Sequence, residues 1–277
     1  MGNLYLQHLR MTISSLPQEL LDHILSFLAT DAPTLRACAR VHSSWLDPCR
    51  RCLFAHKTLY TVDWKLIGTH EFIKRSPALA EHIRAATWDI WDHGSQTPRW
   101  VLFASLLRRL HRVSTLAIEY HQQVPDTIPY AGLAHFVRYA PTATVTTLRL
   151  TGVVFPSCTG LCAFVASFPT LTDLALHKLR WAVDDADGGD ADGGAVLTAP
   201  TLQVLSVTEM HPDAQRVLSW LLRHPSPPCL RGLHLDVPAS PPDIAPLNAV
   251  LSHSGSSLEA LTIRGAHSIR CGPHTQR

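Results

Sequence analysis

Two cysteine pairs have spacings that could support metal binding. Cys49 and Cys52 lie three positions apart in the segment CRRC, and His56 follows four residues later, as in some zinc sites. A structural zinc site needs four ligands, and the chain has no second pair at a suitable spacing. Cys158 and Cys162 lie four positions apart, a spacing that places both on one face of a helix. We interpret them as two small apolar residues on that face. The sequence therefore predicts no metal site and no cofactor.

The segment DDADGGDADGG, residues 184–194, is the most acidic part of the chain. A calcium-binding EF-hand loop needs alternating ligands, Gly at its sixth position and Glu at its twelfth, and no register of this segment supplies all of them. Asp and Gly in such density are typical of a solvated, flexible loop. We therefore predict an acidic loop on the outer side of the fold.

Composition and motifs also argue against nucleic-acid binding and against catalysis. The formal net charge of +2 is too small to indicate a body that binds nucleic acid. The 17 His residues are scattered, so that their spacing selects no Ser-His-Asp or Cys-His arrangement. The sequence predicts a protein that is not an enzyme and has no catalytic residues.

Cysteine usage and the N-terminus indicate where the protein resides. The seven cysteines are an odd number, and the first residues lack the pattern of a signal peptide, so free thiols in a reducing compartment are expected. Residues 150–172 are uncharged and long enough to cross a bilayer, but Pro156 and Pro169 interrupt them. We expect a protein of the cytoplasm or the nucleus that contacts no membrane.

Three short helices are predicted within residues 14–59. The first contains LPQELLDHILSFL, residues 16–28, whose apolar residues recur at helical spacing, and Asp31 is placed to cap the second. About 45 residues are too few for a unit that usually folds on its own core. The first helix also has more leucine than so small a unit can bury, which indicates that a partner covers it.

This segment resembles an F-box, the motif that docks on the Skp-type adaptor of a cullin–RING ubiquitin ligase. The resemblance rests on the Leu-Pro opening, the apolar positions that follow it and the downstream tryptophan. It implies a set of adaptor-binding residues: Leu16, Pro17, Leu20, Ile24, Leu28, Leu35, Cys38, Val41 and Trp45.

A repeated motif occupies the rest of the chain. The motif is six residues long and has apolar residues at its first, fourth and sixth positions. It recurs in seven copies that are 26 to 32 residues apart. Each copy alternates as a short strand does. The copies are IRAATW (83–88), VSTLAI (113–118), VTTLRL (145–150), LTDLAL (171–176), LQVLSV (202–207), LRGLHL (230–235) and LEALTI (258–263).

Strands that alternate with return helices predict a parallel sheet, because no single repeat can bury its own apolar face. The predicted helical returns are 98–112, 160–168, 213–224 and 243–253. The pattern resembles degenerate leucine-rich repeats, which follow an F-box in many fungal proteins. The predicted fold class is α+β to α/β: a three-helix F-box, then an irregular leucine-rich-repeat solenoid with a parallel sheet. A doubly wound α/β enzyme is the alternative, but the chain lacks its Gly-rich phosphate-binding turn.

These patterns divide the chain into four parts. We predict a disordered tail at 1–13, the F-box at 14–59, a linker with capping helices at 60–82 and the solenoid of about seven strands at 83–277. No obvious capping helix follows the last predicted strand, which indicates a truncated C-terminus.

The polar positions of the strands would form rows on a concave surface, where solenoids commonly bind partners. The candidates for binding a target protein are Asp89, Glu119, Arg149, His177, His234, Asp236 and Arg264. The resemblance thus implies a substrate-recognition subunit of an SCF-type ubiquitin ligase, with an unidentified target. The rival hypothesis is an interaction scaffold whose F-box-like helices only cap the solenoid.

Overall fold

The structure is a computed structural model. It describes residues 16–29, 31–55, 58–62, 65–90, 97–121, 136, 138, 142–181, 201–209, 214–223, 229–237 and 245–265. The predicted N-terminal tail, the acidic segment 184–194 and the predicted C-terminal truncation lie outside these residues.

Three helices form a small unit at the N-terminal end of the described chain: α1 (Gln18–Ser26), α2 (Ala32–Cys38) and α3 (Ser43–Ala55). Asp31 caps α2 as predicted, since its carboxylate accepts hydrogen bonds from the Thr34 N–H at 3.1 Å and the Thr34 hydroxyl at 2.6 Å. The two acceptor oxygens satisfy donors of the first turn that have no partner within the helix.

Eight strands then form one parallel sheet in the order β1-β2-β3-β4-β6-β8-β9-β10, and β5 and β7 form a two-stranded parallel sheet beside it. The strands are β1 (Thr58–Val62), β2 (Ala85–Ile90), β3 (Thr115–Tyr120), β4 (Thr147–Thr151), β5 (Val154–Phe155), β6 (Asp173–His177), β7 (Arg180–Trp181), β8 (Val204–Thr208), β9 (Gly232–Val237) and β10 (Ala260–Gly265).

Helices occupy several of the crossover connections that the parallel pairing of the strands requires. They are α4 (Leu66–Arg75), α5 (Pro77–Ala80), α6 (Thr97–Arg109), α7 (Cys158–Ala166), α8 (Ala214–Arg223) and α9 (Ala245–Ser254), and a 3-10 helix spans Thr142–Thr144. The last four α-helices fall on the four predicted helical returns. The prediction of a parallel sheet with helices is therefore confirmed.

The repeated leucines lie side by side across the sheet. Leu116 pairs with Leu148 in register, and the same row continues through the four strands that follow β4 in the sheet. These leucines are buried as far as β9, and together with helix residues such as Phe103 and Leu218 they form one continuous core. Each buried leucine contributes roughly 1.5–3 kcal/mol, so this row is a main source of the fold's stability.

Every predicted strand is present, but each begins two residues later than predicted. The reason lies in the first apolar residue of each motif, for example Val113 or Val145. It lies in the connection before the strand and fills the core there, with 2% and 3% of its surface exposed. Apolar character therefore marks where burial starts, whereas the strand starts only where the backbone ladder begins.

The region predicted as linker and capping helices differs in part. Residues 60–62 belong to β1, which pairs in parallel with β2 and adds one strand to the seven predicted. The segment TLYTV lacks the repeated motif, so its strand character comes from β-branched and aromatic residues alone. Helices α4 and α5 follow it and contribute Leu66, Ile73 and Ala80 to the core.

Candidate protein-interaction surfaces

Helix α1 exposes a stripe of large apolar side chains. Leu20, Ile24 and Phe27 are 51%, 43% and 75% exposed, and their spacing of four and three residues places them on one side of the helix. The helix is amphipathic, but its second apolar side is buried, since Leu21 and Leu25 face the core of the three-helix unit. We name Leu20, Ile24 and Phe27 the α1 apolar stripe. Exposure of these apolar side chains to water is unfavourable, so burial against a partner protein would stabilise them.

The predicted adaptor-binding residues divide into exposed and supporting ones. Pro17 and Val41 are exposed like Leu20 and Ile24, and Leu16 is half-buried. Leu35 is fully buried, so it holds the helices together and does not meet a partner directly. Leu28, Cys38 and Trp45 are half-buried and pack against the same small core.

Phe27 is a surface residue that the sequence analysis missed. It lies seven positions after Leu20, a spacing of two helical turns that indicates the same face. The His23 ring meets the Phe27 ring edge-on, with 4.9 Å between ring centroids. Helical periodicity, continued from Leu20 and Ile24, was therefore sufficient to find it.

Cys49 lies fully buried in the core of the three-helix unit. Burial raises the pKa of the Cys49 thiol to about 11, with smaller contributions from the neighbouring Cys38 and Cys52. A thiol with so high a pKa is neutral at physiological pH, and neither attacks nor binds a metal readily. The buried indole N–H of Trp45 has no acceptor among the described residues, which costs about 1–3 kcal/mol.

One polar contact joins two helices of this unit, and another connects the unit to the sheet domain. Arg51 of α3 donates to Asp22 of α1, with 2.9 Å between Nη2 and Oδ1. Asp47, one turn before Arg51, contacts His82 at the end of α5, with 3.1 Å between Oδ1 and Nε2. The position of the three-helix unit relative to β2 therefore depends partly on the His82–Asp47 contact.

The face of the sheet opposite the leucine row is mainly polar, and we name it the polar sheet face. Two rows of residues in register define it. One row is Tyr60, Thr87, Ala117, Arg149, Ala175, Ser206, His234 and Thr262. The other row runs through Val62, Asp89, Glu119, Thr151, His177 and Thr208, and resumes with Asp236 and Arg264. All seven predicted target-binding residues lie on this face.

At the β1 end of this face a buried acid is surrounded by polar partners. Asp89 is buried, although the sequence predicted a contact residue open to a target. The Tyr60 hydroxyl donates to Asp89 Oδ2, and His121 Nε2 lies 3.0 Å from Asp89 Oδ1 and 3.6 Å from Glu119 Oε2. Tyr60 belongs to β1, the strand that was not predicted, and this explains why the covering of Asp89 was not foreseen.

Further along, the carboxyl ends of the strands carry a chain of polar contacts. His177 Nδ1 lies 2.8 Å from the Thr208 hydroxyl, and Lys178 Nζ forms an ion pair with Glu209 Oε2 at 3.2 Å. The Glu209 N–H donates to Asp236 Oδ2 at 3.2 Å. His177 and Asp236 are thus joined through neighbouring residues, while Arg149 and Arg264 are exposed and stand apart from these contacts.

Three strands that are neighbours in the sheet are each followed by a residue with a left-handed backbone. Gly152, Lys178 and Glu209 follow β4, β6 and β8 and have φ angles of 68°, 54° and 51°. Their backbones continue the ladder, since Gly152 N–H donates to His177 O at 2.8 Å and Lys178 N–H to Thr208 O at 3.1 Å. The turn after each strand is therefore built alike in these repeats.

Within the described ranges, no group of three or more His, Cys, Asp or Glu side chains could hold a metal ion. Cys158 and Cys162 lie on α7 with their sulfurs 4.0 Å apart, and the contact with Cys158, together with burial, raises the pKa of Cys162. Among the helices that the structure describes, none combines the length and apolar character needed to cross a membrane.

Comparison with known families gives one match. The family described as F-box-like matches residues 13–60, which comprise the three-helix unit and the start of β1. No curated protein matches the chain. An F-box-like domain indicates a role in protein–protein interaction, and such domains in general bind Skp-type adaptors. The α1 apolar stripe lies inside the matched residues.

Proposed function

We propose that the chain is a substrate-recognition subunit of an SCF-type ubiquitin ligase. The observation that carries this proposal is the α1 apolar stripe, which is exposed within a region that matches the F-box-like family. Leu16, Pro17 and Val41, together with the stripe, would contact the Skp-type adaptor. Through the adaptor the chain would join a cullin–RING ligase of the cytoplasm or the nucleus.

The sheet domain is proposed to be an irregular leucine-rich-repeat solenoid of the degenerate kind found in fungi. Support comes from the row of buried leucines in register and from strands that all run in one direction. Such a domain stacks one strand and one return segment per repeat, as the spacing of the motif does here. The likeness concerns the repeat pattern and is not based on a family match.

The polar sheet face is proposed to bind the target protein. It offers cations such as Arg149 and Arg264, the carboxylate of Glu119, and half-buried His177 and His234 on two strands separated by β8. A surface of mixed charge gives specificity by rejecting partners whose charges do not match. The chain itself would perform no chemistry. Its contribution would be proximity, since a bound target held near the ubiquitin-transfer machinery reacts at a higher effective concentration.

The rival proposal is a scaffold in which the three-helix unit only caps the sheet domain. The His82–Asp47 contact favours this rival, because it fastens the unit to α5. The two proposals differ in what removal of residues 1–55 does. A cap would be required for solubility of the remaining chain, whereas a separate docking module would not be.

Co-precipitation with the adaptor tests the leading proposal. Leu20→Asp with Ile24→Asp places two charges on the α1 apolar stripe, so recovery of the Skp-type adaptor and the cullin from cells should fall to background. Ile67→Asp with Phe72→Asp is the matched control, since these apolar residues of α4 are at least as exposed, at 69% and 52%. The control should recover both proteins like the wild type. Equal recovery with both double variants would refute adaptor docking through α1.

A further inference from the structure

A cleft lies between the three-helix unit and the amino ends of β2 and β3. Its volume is about 470 Å³, within the range of sites that hold small groups or peptide side chains. Seven residues line it: Asp47, Arg51, Ala78, Glu81, His82, Arg84 and Arg112. They come from α3, from α5 and its end, and from the connections before two strands.

The cleft contains one cation that has no acidic partner. Arg51 is paired with Asp22 at 2.9 Å, and Arg112 Nε lies 3.3 Å from Glu81 Oε2. Arg84 forms no ion pair or side-chain hydrogen bond with any residue that the structure describes. Its backbone is nevertheless held in place, because the Arg84 carbonyl accepts from the N–H groups of Ser114 and Thr115 at 2.8 Å and 3.0 Å. The guanidinium is therefore attached to a fixed part of the sheet.

Pairing accounts for all but one of the guanidinium groups that line the cleft. Arg51 is held by Asp22 and Arg112 by Glu81, so Arg84 is left without a carboxylate partner among the described residues. One carboxylate from outside would pair with it. A phosphate, with up to two negative charges, would be repelled more strongly than a single carboxylate by the acids of the cleft. The planar guanidinium is also well suited to a carboxylate, with which it forms two parallel hydrogen bonds.

We propose that this cleft binds a carboxylate side chain on an acidic segment of another protein, with Arg84 as the anchor. Asp22, which directs Arg51, lies about half a helical turn away from Leu20 and Ile24 on α1, so the cleft is on the other side of α1 from the apolar stripe. Both surfaces can be occupied at the same time. The site does not depend on adaptor docking and is tested separately from it.

The test is binding of a fluorescein-labelled hexaglutamate peptide to the full-length protein, followed by fluorescence anisotropy at low ionic strength. The wild type should bind it saturably, and Arg84→Ala should weaken binding about tenfold through the lost charged hydrogen bonds. Arg84→Lys keeps the charge but not the planar fork and should give an intermediate affinity. Arg180→Ala is the matched control, because this exposed arginine of β7 does not line the cleft. It should bind like the wild type.

A labelled hexaglutamine peptide separates the carboxylate from the peptide backbone and should not bind. The proposal is overturned if hexaglutamate shows no saturable binding, if hexaglutamine binds equally well, or if Arg84→Ala and Arg180→Ala weaken binding by the same factor. Thermal unfolding of each variant shows whether it is folded. Should Arg84→Ala fail to fold, the comparison of Arg84→Lys with Arg180→Ala decides the matter, and equal affinities would reject the site.

Discussion

Neighbouring leucines of α1 have opposite roles. Leu25 is fully buried in the core of the three-helix unit, whereas Leu20, five positions earlier, is half exposed. The difference follows from the 100° that each residue turns around the helix axis, which places the two side chains on different sides of α1. The same residue type therefore stabilises the unit at one position and, in our proposal, docks a partner at the other.

Substitution by alanine should separate these roles. Leu25→Ala leaves a cavity in a well-packed core and should lower the free energy of unfolding by about 2–5 kcal/mol. Leu20→Ala removes an exposed side chain and should change it by no more than about 0.5 kcal/mol. Urea denaturation followed by circular dichroism measures both values. Equal losses for the two variants would mean that the helix is turned differently from the structure.

The cap of α2 should depend on pH. The hydrogen bonds from Thr34, first that of its hydroxyl and then that of its N–H, lower the pKa of Asp31 from its usual 3.8. A carboxylate with a lowered pKa in the folded state stabilises the protein above pH 3.8 and loses this effect as the pH falls through the folded-state value. The melting temperature should therefore differ between wild type and Asp31→Ala at pH 7, and the difference should shrink at pH 3. A gap that is unchanged at pH 3 would exclude the ionised cap.

Residues on the surface of a helix could be predicted from the sequence better than those on the sheet. The resemblance to an F-box pointed to Leu20 and Ile24, and helical periodicity contained the signal for Phe27. In contrast, Asp89 was predicted to be accessible and is buried, because Tyr60 from an adjacent strand covers it. Contacts between strands that are far apart in the sequence leave no periodic signal, so alternation predicts a face but not what covers it.

At the scale of elements, the turn after β4 requires glycine. Gly152 has a φ of 68°, and a Cβ built there would lie 2.2 Å from the carbonyl oxygen of Tyr120. The close approach excludes a side chain, and the left-handed backbone disfavours one. Lys178 and Glu209 adopt the same conformation in the next two repeats without glycine, and their ion pair offsets only part of the cost, because both side chains are exposed.

Gly152→Ala should lower the free energy of unfolding by at least about 1–2 kcal/mol, the cost of a left-handed conformation for a residue with a Cβ. Gly68→Ala is the control, since α4 has nothing within 4 Å of a Cβ at that position. Alanine favours a helix over glycine, so this variant should gain about 0.5–1 kcal/mol. Thermal unfolding compares the two, and a stability loss in Gly68→Ala as large as that in Gly152→Ala would contradict the described turn.

The repeated elements were predictable because each buries the same leucine position against its neighbour. Seven strands and four return helices follow from that pattern, with strand starts displaced by two residues. Strand β1 was not predicted, because it has no motif of its own and its strand state depends on pairing with β2. Sequence periodicity thus predicts elements that repeat, and it misses an element that only the edge of the sheet stabilises.

The whole molecule presents two surfaces of different character. The α1 apolar stripe is hydrophobic and lies within the part that matches the F-box-like family, while the polar sheet face carries charged and histidine side chains on parallel strands. The two surfaces lie on separate parts of the chain, which suits a protein that joins two partners. Adaptor binding is the central claim, because without the adaptor the chain could not bring a bound target to the ubiquitin ligase.

Calorimetric titration of the purified protein with a Skp-type adaptor tests this claim most directly. One adaptor should bind per chain, and Leu20→Asp with Ile24→Asp should weaken binding at least about tenfold, since each buried anchor of an interface typically contributes more than about 1 kcal/mol. Ile67→Asp with Phe72→Asp should leave the dissociation constant unchanged. Absence of binding by the wild type, or equal dissociation constants for the wild type and the Leu20→Asp, Ile24→Asp variant, would contradict the account.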